Sequence, residues 1–152
     1  MCIVFVDDES NPFSSSKYSL SHPKYLYLNG KKITKLIIPD DITEIKQHTF
    51  NDCTGITSVK FSNSVTRIGS DAFYRCTGLT NIEIPNSVAR IGEEAFYGCT
   101  GITSISIPKS VTSIADYAFH NCTSLNTLYI EDGENEIENQ NGGFSGCPIK
   151  TL

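Results

Sequence analysis

Four cysteines of this 152-residue chain, Cys53, Cys76, Cys99 and Cys122, stand 23 residues apart, each three residues after a phenylalanine (Phe50, Phe73, Phe96 and Phe119). Self-similarity at a fixed period of 20–50 residues marks a chain of stacked units that cannot bury their apolar faces alone. Four units fall into register from Ile33, Ile56, Leu79 and Ile102, and a fifth from Leu125 is irregular but keeps Ile137, Phe144 and Cys147. Residues 1–32 read as an elongated first unit, 33–124 as four regular repeats and 125–148 as the irregular one. Residues 149–152 read as the start of a further unit, so both ends are expected to belong to a longer array or to an assembly that covers them.

Each unit carries apolar residues at positions 1, 4, 6, 10 and 13, a small residue at 17, Phe at 18 and Cys at 21. In the third unit these are Leu79, Ile82, Ile84, Val88, Ile91, Ala95, Phe96 and Cys99. Positions 4 and 6 alternate inward as in a strand. Pro39, Pro85 and Pro108 at position 7 lack an N–H and should end the ladder. A polar pair followed by Ala-Phe, as in Ser70-Asp71-Ala72-Phe73, predicts a short helical or 3₁₀ turn. The Thr-Gly pairs at 54–55, 77–78 and 100–101 predict the turn back to the next strand. In the first unit, YLYLNGKK predicts a hairpin about Asn29-Gly30 leading into Ile33, preceded by a Ser- and Pro-rich loop. Isoleucine (18) outnumbers leucine (8), which favours strand over helix.

The strand pattern I-x-x-I-x-I and the fuller IPxSVTxIGxxAFxxCTG resemble the BspA-like class of 23-residue bacterial leucine-rich repeats. The likeness is close over 33–124 and looser over 125–152. It implies an α/β repeat protein: a right-handed leucine-rich-repeat solenoid with a parallel β-sheet on one face and turns, 3₁₀ or short helices on the other. Family members are typically secreted or surface-attached proteins of host-associated bacteria and some protozoa, several linked to adhesion. The resemblance therefore implies an extracellular or cell-surface adhesion or protein-binding module. The short apolar opening, Met1 to Val6, does not have the form of a signal peptide.

Net charge −5 argues against non-specific nucleic-acid binding, and no apolar run approaches the length of a transmembrane segment. Five cysteines share one repeat position and should point the same way into the core, so neither disulfides nor zinc is expected; Cys2 is the one plausibly reactive thiol. His22, His48 and His120 have no nucleophile or carboxylate repeatedly beside them, so no catalytic set, cofactor or metal is expected. The acidic stretch from Glu131 to Glu138 reads as a solvated loop, with calcium as the lesser alternative.

Two surfaces remain as candidate ligand sites. The outward strand face carries Lys35, Ile37, Lys60, Asn81, Glu83, Ser106, Lys109 and Tyr129, a mixed polar set suited to protein or glycan. The opposite side carries Tyr74, Tyr97 and His120 at position 19, with Tyr117 nearby, an aromatic strip of the kind that binds sugars or protein. The rival reading is a spacer or stalk with no ligand, and the open ends invite end-to-end self-association through exposed strands.

Overall fold

The computed structural model describes residues 26–28, 31–132, 138–139 and 142–150. They form a parallel β-solenoid in which each 23-residue unit is one coil. The front sheet follows positions 3–5: β3 (Lys35–Ile37), β5 (Ser58–Lys60) and β7 (Asn81–Glu83) pair in parallel, as do β9 (Ser104–Ile107) and β11 (Thr127–Ile130). Register is one whole repeat, with Leu36 against Val59 and Ile82. A one-residue slip would turn every inward isoleucine outward. The predicted hairpin is present: β1 (Leu26–Leu28) pairs antiparallel with β2 (Lys31–Ile33), Leu28 opposite Lys31.

The proline expectation holds in part. The fifth coil has Glu131 where three others have proline, and there the ladder runs one bond further, Glu131 N–H donating to the Ile107 carbonyl at 3.0 Å. Ser62 at the same position of the second coil makes no such bond, so the ladder also ends without proline.

The helical expectation fails. Among the described residues there is no helix or 3₁₀ segment, so this is a β-solenoid and not an α/β repeat. A second parallel ladder runs where none was expected, from β4 (Glu44–Ile45) through β6 (Arg67–Ile68), β8 (Arg90–Ile91) and β10 (Ser113–Ile114) to β12 (Glu138–Asn139). Beyond it, positions 16 and 20 adopt left-handed backbone, as at Asp71 (φ 52°) and Arg75 (φ 53°), which a right-handed helix cannot contain. Hydrogen bonds there alternate. The N–H groups of Asp71, Phe73 and Arg75 cross to the next coil at Glu93, Ala95 and Tyr97. Those of Ala72, Tyr74 and Cys76 turn back within their own coil to Gly69, Asp71 and Phe73. Successive tight turns thus spend every second donor on the neighbouring coil.

The Thr-Gly pairs at 54–55, 77–78 and 100–101 lie in turns as expected, and two of their glycines have a further reason besides. Gly78 and Gly101 have no left-handed φ; they lie where backbones nearly touch, and a Cβ on Gly78 would sit 2.3 Å from the Thr54 carbonyl oxygen.

The core lies between the ladders. Phe50, Phe73, Phe96 and Phe119 are fully buried and stack with Phe144 as one column, centroids 5.0–5.3 Å apart. The described cysteines are free thiols, four of them buried and Cys147 half-buried. They are more than small hydrophobes, because four of these five thiols donate to a phenylalanine carbonyl of the coil before: Cys76 to Phe50 (3.0 Å), Cys99 to Phe73 (3.1 Å), Cys122 to Phe96 (3.2 Å) and Cys147 to Phe119 (3.0 Å). Burial pushes Cys53 and Cys99 up to about 12 and raises Cys76 as well; the Cys147 thiol and burial together raise Cys122. Cys147 goes the other way, lowered by the neighbouring Cys122 thiol. Iodoacetamide on the folded protein should therefore label Cys147 first among these five, the other four reacting only as the chain unfolds. Peptide mapping by mass reads this directly and separates Cys2, which lies outside the described residues. Early labelling of Cys76 or Cys99 would contradict the buried ladder.

Candidate functional site

Strand geometry explains the front face. Positions 4 and 6 are committed to the core, so positions 3 and 5 must project the other way. The structure places Lys35, Lys60, Asn81, Glu83, Ser106 and Lys109 at the surface, with Ile37 38% and Tyr129 59% exposed. Ile37, Lys60 and Glu83 stand in register on successive coils, and Ser106 stands beside Tyr129. Position by position, the face changes from basic (Lys35, Lys60) through Glu83 and Ser106 to an aromatic end bordered by Glu131 and Asp132.

Sequence reasoning missed Ile130. It occupies an inward position, where Ile107 is fully buried one coil earlier, yet it is 54% exposed beside Tyr129. The cause is that β11 is the outer strand of its sheet. Leu128, Phe144 and Ile149 are only partly buried at the same end, whereas in the first regular coil Leu36, Ile38, Ile45 and Phe50 are at most 2% exposed.

The turn side brings its aromatic residues together, but as a stack. Tyr74 and Tyr97 lie 4.9 Å apart at 14°, Tyr97 and His120 5.1 Å apart at 29°, and Tyr117 meets His120 edge-on at 5.3 Å. A ring that covers its neighbour's face cannot offer that face to a sugar. The Tyr97 hydroxyl accepts from Asn121 Nδ2 at 3.2 Å.

Beside this stack, position 16 carries His48, Asp71 and Glu94 in a row, with His48 Nδ1 3.6 Å from Asp71 Oδ2. Burial raises the Asp71 carboxyl; His48 partly offsets that and Glu93 adds to it. Burial and the neighbouring Asp71 likewise raise Glu94. A carboxyl raised in the folded state favours folding below its unfolded pKa, and that contribution disappears as pH rises through the folded value. Asp71→Asn, whose side chain tolerates φ 52°, should thus gain stability over wild type as pH rises from 4 to 7. For a partly exposed charge the gain is less than about 1 kcal/mol. Urea midpoints at the two pH values measure it, and a gain larger at pH 4 would contradict the assignment.

Among the described residues, no three His, Cys, Asp or Glu side chains come together as a metal site, and no helix is long and apolar enough to cross a membrane. Residues 133–137 of the acidic stretch, and with them the calcium alternative, lie outside the described residues, as do Cys2 and His22.

Comparison with known proteins places this geometry in context. The profile described as BspA type leucine rich repeat region matches residues 21–150 in six copies. No curated protein matches. Among solved structures, a T. pallidum leucine-rich repeat protein is 35% identical with TM-score 0.60, over 64% of this chain and 45% of that one. A leucine-rich cell surface protein of Faecalibacterium prausnitzii is 30% identical with TM-score 0.54, over 72% of this chain and 36% of that one. A leucine-rich repeat protein of Bacteroides capillosus is 29% identical with TM-score 0.59, over 66% and 78%. The chain thus spans less than half the length of the first two.

Proposed function

Because the chain belongs to the BspA-type leucine-rich repeat family, we propose that it is a non-enzymatic interaction module of a secreted or cell-surface protein, binding a protein or glycan of a host or neighbouring cell through its strand face. One observation carries this reading. Eight side chains of varied chemistry, Lys35 through Tyr129, are all exposed, over inward strand residues at positions 4 and 6 of the regular coils that are at most 8% exposed. Such a surface presents many weak contacts at fixed spacing with little entropy lost on binding. The turn-side strip supports recognition less well, since its rings cover one another's faces. The cell-surface description of the F. prausnitzii relative is in keeping with the location.

The test is binding to immobilised matrix proteins and glycans, wild type against Lys60→Ala, Glu83→Ala and Tyr129→Ala combined. These exposed residues leave the core intact, so the midpoint of unfolding should not move while affinity falls at least about tenfold, as loss of an aromatic anchor and two charges implies. Binding that survives the triple variant moves the site off this face. No saturable binding by wild type points instead to a spacer without a ligand.

A further inference from the structure

The front sheet is interrupted once within the regular coils. β3, β5 and β7 form one sheet and β9 and β11 another, while the second ladder runs unbroken past the same junction, Arg90 beside Ser113 and Ile91 beside Ile114. The core is closed there too, with Phe96 on Phe119 and the Cys122 thiol on the Phe96 carbonyl. Only the front of the third and fourth coils lacks the paired rungs of the other junctions.

What is missing can be read from the other junctions. At each of them, the N–H groups of positions 2 and 3 converge on the position-2 carbonyl of the coil before. Thr57 and Ser58 donate to Thr34 (2.6 and 3.3 Å), Thr80 and Asn81 to Thr57 (3.0 and 3.2 Å), and Asn126 and Thr127 to Thr103 (3.0 and 3.3 Å). The hydroxyls of Thr57 and Thr80 donate to the same carbonyls. Among the described residues, the N–H groups of Thr103 and Ser104 have no such acceptor, and the Thr80 carbonyl has no such donor. Thr80, Asn81, Thr103 and Ser104 are all exposed.

Unbonded donors on one lip and an unbonded acceptor on the other, all on exposed residues, call for a group that can answer both. A peptide unit does, and a peptide carbonyl is the group that receives this set of donors at the sister junctions. It is neutral, which suits a site beside the Glu83 carboxylate. A sugar hydroxyl also donates and accepts, but it is not the group that these donors receive at the sister junctions, and the titration below separates the two. We propose that this junction is a receptor for one backbone peptide group of an extended segment of the partner: its carbonyl accepts from Thr103 and Ser104 N–H and the Thr103 hydroxyl, and its N–H donates to the Thr80 carbonyl. Recognition is then a single-rung form of strand addition. The proposal rests on the strand face being the contact surface and names the partner class as peptide.

Two measurements on the whole chain test it. Without any ligand, amide hydrogen exchange should show Thr103 and Ser104 protected at least about tenfold less than Thr57 and Ser58, since an unbonded amide exchanges without waiting for unfolding. Equal protection would mean that the junction is closed and overturn the proposal, while leaving the strand face intact as a surface. Next, N-acetyl-alanine-N-methylamide is titrated while the amide resonances are followed. Saturable shifts at Thr103 and Ser104, absent at Thr57 and Ser58 and weakened several-fold by Thr103→Val, are expected. A flat response overturns the peptide receptor, and equal shifts with methyl glucoside transfer the site to glycans.

Discussion

Phe96→Ala should destabilise the folded chain by about 3–5 kcal/mol, the usual cost of emptying a fully buried phenylalanine site. Phe96 is 0% exposed and stacks on both sides, 5.3 Å from Phe73 and 5.0 Å from Phe119. The cavity cannot collapse easily, because the backbone on either side is held by inter-coil bonds such as Phe96 N–H to the Ala118 carbonyl (2.7 Å). In a repeat array the damage falls on two interfaces at once, since each coil is stabilised mainly by its neighbours. Urea unfolding followed by circular dichroism reads the loss, and Phe96→Leu should recover part of it by refilling volume without the stack. A change under about 1 kcal/mol would mean that the column is not the core.

Gly78→Ala should cost about 3 kcal/mol, at the upper end for one added methyl in a packed interior. Its Cβ would lie 2.3 Å from the Thr54 carbonyl oxygen and 3.0 Å from that of Ile56, both backbone atoms that no rotamer change can move. The coils would have to separate, stretching inter-coil bonds such as Thr80 N–H to the Thr57 carbonyl. Gly98→Ala is the informative control. Gly98 has φ 65°, but its Cβ would meet nothing tighter than the flexible Arg75 side chain at 3.4 Å. Alanine there should cost about 1 kcal/mol, from backbone strain alone. If the two variants lose equal stability, close approach is not why glycine stands at position 78.

Much of this was legible in the chain before any coordinates. The Phe and Cys columns, the front strands and the hairpin into Ile33 follow from spacing, because identical units can only bury identical faces against one another. The second ladder was not legible. Its strands are pairs such as Arg67–Ile68, too short for an alternating pattern to declare itself. The turn side was misread for a related reason: Ser-Asp-Ala-Phe suits the start of a helix locally, and only the pull of the next coil's carbonyls holds Asp71 and Arg75 left-handed. The outward strand residues were found by period-2 logic, while the exposure of Ile130 depended on what lies beside β11.

The clearest division between sequence and tertiary structure lies in two identical dipeptides. Thr57-Ser58 and Thr103-Ser104 occupy the same positions of their coils, and the repeat dictates for both a strand, an inward neighbour and a place on the front face. The first pair bonds to the coil before it and the second does not. Periodicity determines which residues go inside, because burial depends on composition and spacing that every coil shares. Whether a given rung closes depends on the relative placement of two coils, a sum over the whole interface that neither dipeptide contains.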